Sequence, residues 1–559
     1  MEYTKEKPNS VNTPRATLLI DEYQQYKGMR SNFESYWQTL HDYFYIEAAD
    51  ISKSYSPGSE LTIDHLFDST TLESADVLAS GFMNYLTPPT SKWFSLRAKN
   101  KALEGNKAVA KYLEEVAEIV SSTLNNSNFN NQIIASYKSS GVYGTSCMLV
   151  EDDPKDGIRF MSLPIKNVCL KEDARGRVIG YFLEFEYTAQ QAEGKFGLEK
   201  LSDKMKEELK QAVPPTNKHQ FILYIAERHV REVQKSDKEN MPIEAVWIDV
   251  SSKITVDEGG YNEMPAMSHR FDKRPFIPWG FSPAMKALPF SRLLNAIAKT
   301  NLRSMMKNTD PAIAVPDNAF IMPFNGNPRG VNYYNKNKMQ GGAKDIFAFG
   351  NHGDPNAGLT AIEYYTAQVK SLMYNDVFLA FNQITKQMNN PEIAERINEK
   401  MTMLGPAVGR YIAEMLNPGL VRTIGVLSRR GDLPEPPAEF MQDPQFEIDL
   451  ISQLAQAQRR SELNSLMTGI QLVGSMAELA PSVLDKVNTD EVVDTAWNII
   501  GAPQKVLRDD KDLDALRESK AQQAQQQQDM AMLQAGGGVV EQGSKVDLNM
   551  ANAAKAGKE

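Results

Sequence analysis

The chain has 559 residues, of which 42% are hydrophobic and 24% charged, a composition that supports several core-forming domains. Its 61 basic and 71 acidic residues leave a formal charge of −10, which excludes a conventional grip on nucleic acid through many phosphate contacts, though not a polymer that slides past. Two cysteines without CxxC spacing exclude a disulfide framework and a zinc site, and no apolar run reaches the ~18 residues of a membrane span.

The polar start, Met1 to Ser10, does not read as a secretory signal, so assembly in a cytoplasm is expected. Residues 1 to about 14 read as disordered. Thr17 to Glu47 then carries aromatics at helical spacing, among them Tyr23, Tyr26, Trp37 and Phe44, a pattern that marks a core-facing helix. After a loop over 51–62, the candidate caps Asp68, Ser69 and Thr70 open a small-residue helix that Pro88-Pro89 stops, and Trp93 to Leu96 follow as a short strand. Asn106 to Leu124 is amphipathic, and a second helix runs to about Ser140. Strands are expected at Cys147–Glu151, Arg159–Leu163, Asn167–Leu170 and Val178–Tyr187, with turns at Asp153-Pro154-Lys155-Asp156-Gly157 and Asp173-Ala174-Arg175-Gly176. Leu198 to Ala212 reads as a helix, Phe221–Val233 and Ala245–Val256 as strands.

After a Pro-punctuated approach from Pro275 to Pro289, Phe290 to Asn308 is a clean helix. Arg292, Lys299, Arg303 and Lys307 fall on one face of it, and Leu294, Ile297, Ala298 and Met305 on the other. Short β runs with Gly, Pro and Asn fill 310–350. From Thr360 to Met388 there is neither Gly nor Pro, and Val369, Met373, Val377, Phe381, Ile384 and Met388 form a helical stripe, so one helix about 43 Å long is expected. Asn389-Asn390-Pro391 breaks it, a second helix starts with Glu392 near its positive end, and Gly405-Pro406 and Asn417-Pro418-Gly419 should bend or break that one. It should end at Arg429-Arg430-Gly431. Phe446 to Leu479 reads as helical, Thr489 as a cap for Asp490 to Ile500, Asp509 to about Leu533 as a polar Gln-rich helix, and the remainder as disordered.

Chemistry-bearing motifs are lacking. No G-x-x-x-x-G-K-[ST], G-x-G-x-x-G, G-x-S-x-G or H-E-x-x-H occurs, and the six histidines are scattered. Asp152-Asp153-Pro154-Lys155-Asp156-Gly157 has Pro at its third position and no closing Glu, so a hairpin turn is favoured over a calcium loop.

Three stretches carry a resemblance. Leu404-Gly405-Pro406, Arg410, Glu414, Leu416-Asn417-Pro418, Arg422 and Gly431-Asp432-Leu433-Pro434 form one. Asp68-Ser69-Thr70, Leu86-Thr87-Pro88-Pro89 and Trp93-Phe94 form another, and Ser127-Asn128-Phe129 with Gly144-Thr145 a third. In their order along the chain they resemble the portal (head-to-tail connector) proteins of short-tailed bacteriophages. One departure is Asn390-Pro391-Glu392-Ile393, where the family usually shows a Thr-Ala-Thr-Glu-like start.

The resemblance implies a mainly helical α+β portal fold assembled as a ring. It divides the chain into an N-terminal arm (1–30), a wing (31–275), a first stem helix (276–309), a β-rich clip (310–356) and a second stem helix (357–388). A tunnel loop (389–395), a kinked wing helix (396–445), a crown (446–518) and a Gln-rich tail (519–559) complete it. It implies no enzyme activity and no cofactor or metal, with DNA driven by a separate terminase ATPase. Lys386, Asn389, Asn390, Arg396 and Lys400 are then the candidates at the DNA channel, and the basic stripe a ring of charge facing the channel or a neighbour. The implied partners are further copies of the chain, twelve in the family, double-stranded DNA, the terminase large subunit, major capsid and scaffolding proteins, and tail adaptor or tail tube proteins, with no membrane. The implied location is the head–tail junction of a virion. The competing reading is a tail or capsid-scaffold oligomer without a DNA channel.

Overall fold

The computed structural model describes residues 14–52 except 49, and 65–309 apart from 101–102, 104–105, 154–156, 212, 214, 233–234, 236 and 239. It further describes 313–314, 333, 335, 337, 347–348, 355–384, 404–451, 466–475, 488, 491–493, 496, 513, 515–523 and 525–527. Two compact units divide the chain, one of 1–93 with 118–433, the other of 94–117 with 434–559.

In the larger unit, β4 (Val168–Glu172), β5 (Val178–Thr188), β6 (Lys218–Glu227), β7 (Ile243–Asp249) and β8 (Ile254–Tyr261) form an antiparallel meander in sequence order. Alternation gives the sheet two apolar faces. On one lies α1 (Arg15–Phe44), whose Ala16, Leu19, Ile20 and Tyr23 meet Cys169, Phe182, Ile222, Tyr224 and Val246. The other carries Tyr187, Phe221 and Trp247 against Phe196. Phe196 ends a helix (Ala189–Phe196) that the sequence reading lacks, opened by a capping box of Thr188 and Gln191. The expected strand Ala245–Val256 is in fact the hairpin β7–β8, turned where Lys253 takes φ 54°. The expected helix from Leu198 is shorter, Asp203–Leu209.

A second sheet, ordered β3-β2-β9, pairs β2 (Thr145–Asp153) with β3 (Gly157–Leu163) and β9 (Ala266–Arg270). The β2–β3 pairing runs antiparallel up to Asp153↔Gly157, as a hairpin requires. Beside it run α2 (Thr70–Leu86), begun by Asp68 accepting from Thr70 N at 2.8 Å, and a helix at Phe129–Tyr143. The two helices approach closely, because Gly141 leaves no room for a Cβ beside Leu78.

The long helix α7 (Pro283–Thr309) begins earlier than its periodicity shows. Ser282 Oγ accepts from Met285 N at 3.0 Å and Pro283 takes the first helical position. Pro289 then lies inside the helix without breaking it, and the Met285 carbonyl that it cannot reach with an N–H accepts from Tyr36 Oη at 3.3 Å.

The expected single helix from Thr360 to Met388 is two. Here α8 (Pro355–Leu372) and α9 (Asn375–Ile384) meet at a joint where Tyr374 has φ 58°. Conversely, Asn417-Pro418-Gly419, expected to bend or break the helix, does not break it. A π turn, Ile412–Leu416, absorbs the missing proline N–H, and helix continues from 404 through Arg430 to Gly431, a left-handed C-cap.

In the smaller unit Phe446–Leu450 is a strand (β12), not the start of a helix. It pairs antiparallel with β1 (Phe94–Ala98), in register from Phe94↔Leu450 to Ala98↔Phe446, with Arg97 Nε 2.6 Å from Asp449. Tyr112 and Phe440 pack with ring centroids 5.4 Å apart. Residues 466–475 are helical and the Gln-rich stretch is helical at 515–523. Asn488 Oδ1 accepts from Glu491 N, a cap contact one residue before the expected Thr489, which lies outside the described residues. Among the described residues no helix is long and apolar enough to cross a membrane.

Candidate functional site

The features that could act on a partner centre on α7, α8 and the 404–430 helix. α7 and α8 form an antiparallel hairpin. Phe290 faces Tyr365 at a centroid distance of 6.4 Å, and Gly358 leaves no room for a Cβ beside the Asn301 side chain. Leu294 (1% exposed) and Asn301 (7%) lie on this inner face. Between 310 and 350, Ile313–Ala314 pairs antiparallel with Phe347–Ala348, which joins the two ends of the insertion.

The basic stripe lies on the opposite face of α7. Arg292, Arg303 and Lys307 are exposed, while Lys299 is half-buried with Nζ 5.0 Å from the centre of the Phe67 ring. Burial raises the Tyr36 phenol, and the charge of Arg292 opposes that rise, which puts this cation close to α1. Met305, expected on the inner side, is 46% exposed. Between the inner face and the stripe, one flank of α7 carries Leu293 and the other Leu302 and Met306, at 41%, 43% and 59% exposure. Lys386, Asn389, Asn390, Arg396 and Lys400 lie outside the described residues, as do the side chains of Phe381, Ile384 and Met388.

The side chains that carried the resemblance at 404–434 bind this helix to the sheets. Glu414 accepts from the Arg270 backbone N at 3.0 Å and pairs with its guanidinium, which also pairs with Glu172. Arg410 reaches Asp272 at 3.4 Å. Arg422 and Arg429 share Glu263, at 2.9 and 2.7 Å, and hold its carboxyl below the usual range although burial pushes the other way. Arg430 ties the helix end to the β2–β3 hairpin through Asp152, the Asp153 carbonyl at 2.7 Å and the Gly157 carbonyl at 3.0 Å. A guanidinium thus binds the two strand ends that flank residues 154–156.

A column of rings crosses the same region. Phe378 on α9, Phe82 on α2, Tyr137, Tyr411 and His269 on β9 follow one another at centroid distances of 5.4, 5.7, 4.6 and 4.3 Å. His269 accepts from Ser140 Oγ and donates from Nε2 to the Ala407 carbonyl at 3.3 Å. Burial drives its pKa down to about 3, the Ala407 bond works the other way, and Arg410 and Arg270 add to the drop.

Sequence spacing alone did not show that His41, Asp42 and Asp50 converge. Gln38 Nε2 already stands among them, 2.7 Å from Asp42 Oδ1, 3.3 Å from Asp50 Oδ2 and 3.5 Å from His41 Nδ1, so a neutral donor occupies the place a cation would need.

Comparison with known proteins places the chain as a whole. The chain is 28% identical over 529 residues to the portal protein of Salmonella phage epsilon15, covering 92% of this chain and 93% of that one. It is 28% identical over 544 residues to the probable portal protein of Bordetella phage BPP-1, covering 96% of each. A chain from a gene transfer agent virion matches 60% of this chain and 73% of its own length, with a TM-score of 0.27 at 11% identity. The family described as bacteriophage head to tail connecting protein matches residues 16–507, and the chain belongs to that family.

Proposed function

We propose that the chain is the subunit of a portal ring at one capsid vertex, a structural protein through whose central channel double-stranded DNA is packaged and ejected. The family match over residues 16–507 carries this reading. The α7–α8 hairpin supports it physically. Its inner face is used within the chain, while both flanks of α7 stay apolar and exposed, as a closed head-to-tail ring requires of surfaces that meet unlike surfaces on the next copy. In this reading α7 and α8–α9 are the stem helices, the insertion 310–356 the clip that meets terminase and tail adaptor, and 446–518 the crown. Residues 389–395 are the tunnel loop, with Lys386, Asn389, Asn390, Arg396 and Lys400 beside the channel. The stripe Arg292, Lys299, Arg303 and Lys307 lies along the channel or against acids of the neighbouring subunit. Capsid, scaffolding and tail proteins dock around it, in a virion assembled in the host cytoplasm.

The test is electron microscopy of purified protein without nucleotide, metal or DNA, which should show flanged rings with an axial hole. Rings without a hole would favour a scaffold oligomer, and a monomer at every salt and concentration would overturn the reading. Replacing Asn389-Asn390-Pro391 by Ala-Ala-Ala, in a complete phage, should leave rings intact while heads fill poorly or leak.

A further inference from the structure

The joint between α8 and α9 is a place where sequence and structure disagree, and the disagreement has a physical origin. No Gly or Pro occurs between Thr360 and Met388 to end the helix there. Tyr374 nevertheless adopts φ 58°, a left-handed conformation that disfavours a residue with a Cβ. The apolar stripe also runs straight across the joint, with Val369, Met373 and Val377 all at most 2% exposed.

What holds the bend is contact with α2. With the Asn375 amide turned to satisfy both of its ends, its nitrogen donates to the Ser74 carbonyl at 3.0 Å and the Met373 carbonyl at 3.1 Å, and its oxygen accepts from Ser74 Oγ at 3.0 Å. In an unbroken helix the Met373 carbonyl would take the N–H of Val377, which here donates to the Tyr374 carbonyl at 3.1 Å. A side chain has thus replaced a backbone partner. One turn on, the Phe378 ring fills the space above Gly81, where a Cβ would overlap it, and begins the ring column through Phe82.

We infer that Met373–Tyr374 is a two-state joint, bent when Asn375 and Phe378 dock on Ser74 and Gly81 of α2, and straight, as one helix from Pro355 to Ile384, when they undock. The bent state trades helical hydrogen bonds and a strained tyrosine for docking; the straight state reverses that exchange and lifts Phe378 off the ring column. The two arrangements use the same residues, which is what makes the joint bistable rather than merely flexible. It acts as a lever whose position is set by α2, whether or not the chain surrounds a channel.

The test places nitroxide labels on Glu363→Cys and Leu379→Cys of the full chain, both exposed, with labelled subunits diluted among unlabelled ones. Cys147 and Cys169 are buried and leave no background. The parent should show mainly one pulsed-EPR distance. Asn375→Ala and, independently, Gly81→Ala should add a longer distance and raise helical circular dichroism. If either variant folds and keeps only the parent distance, the two-state joint is wrong. Tyr374→Gly supplies a readout that needs no undocking. A bent ground state predicts a higher Tm and a ratio shifted roughly tenfold further towards bent, because glycine relieves the left-handed strain. A helical Tyr374 predicts a lower Tm, and that result overturns the inference.

Discussion

At the scale of single residues, His269 shows how burial sets a pH limit. Its imidazole is neutral in the fold, held between Ser140 and the Ala407 carbonyl, with its pKa lowered to about 3 from an ordinary value of 6.5. The unfolded chain therefore takes up this proton first. The stabilisation is complete above about pH 6.5 and is lost as pH falls from there towards 3. Replacing His269 by Asn removes the titration, so the stability gap between parent and variant should narrow between pH 7 and 5. Urea unfolding across that range measures it, and a constant gap would refute the assignment. Glu263 loses its contribution further down, as pH falls from the ordinary carboxylate range through its own lower pKa, because Arg429 and Arg422 outweigh burial and hold its carboxyl ionised. Such effects were not legible in the chain. Arg410, Glu414 and Arg422 could be picked out as part of a resemblance, but their partners Asp272, Arg270 and Glu263 lie more than a hundred residues away.

At the scale of elements, most helices and strands were legible because their periodicity and caps agree with their burial. The failures share a cause, namely that a distant contact outvoted a local signal. Phe446–Leu450 continues into a helical pattern but finds a strand partner in Phe94–Ala98. The α8–α9 joint has no breaker but is held by α2. Asn417-Pro418-Gly419 has breakers, and a π turn neutralises them. Two glycines with nearly equal φ make a useful contrast. Gly431, at φ 77°, has open space where a Cβ would stand, so Gly431→Ala should cost only the left-handed penalty, about 1 kcal/mol. Gly144, at φ 81°, backs onto the Gly280 carbonyl, and Gly144→Ala must also push β2 away from that segment, at ~3 kcal/mol or more. Chemical denaturation of both variants ranks them, and equal losses would show that the backbone contact yields easily.

At the scale of the whole molecule, a net charge of −10 fits a conduit better than a clamp, because phosphate contacts create affinity and affinity opposes sliding. The proposed ring makes a direct demand on α7. Leu302→Glu with Met306→Glu sets like charges on an exposed flank that contributes nothing to the inner face of the hairpin. Ring formation by light scattering should fall by at least tenfold in apparent affinity while the Tm of the isolated chain changes little. Rings that assemble as before would remove this flank from the interface. The basic stripe was legible as a face of α7, but whether it meets DNA or a neighbour lies outside one chain's periodicity.

The pairing of Phe94–Ala98 with Phe446–Leu450 sets a clock on synthesis. About 350 residues separate the partners, so at 5–20 residues per second the first strand leaves the ribosome roughly 20 to 70 s before the second exists. Closing so long a loop adds little entropy cost at equilibrium, since that cost grows only logarithmically. The delay is kinetic. Through that interval the edge of Phe94–Ala98 stands open to strands of other nascent chains, and a translation pause before Phe446 would lengthen its exposure.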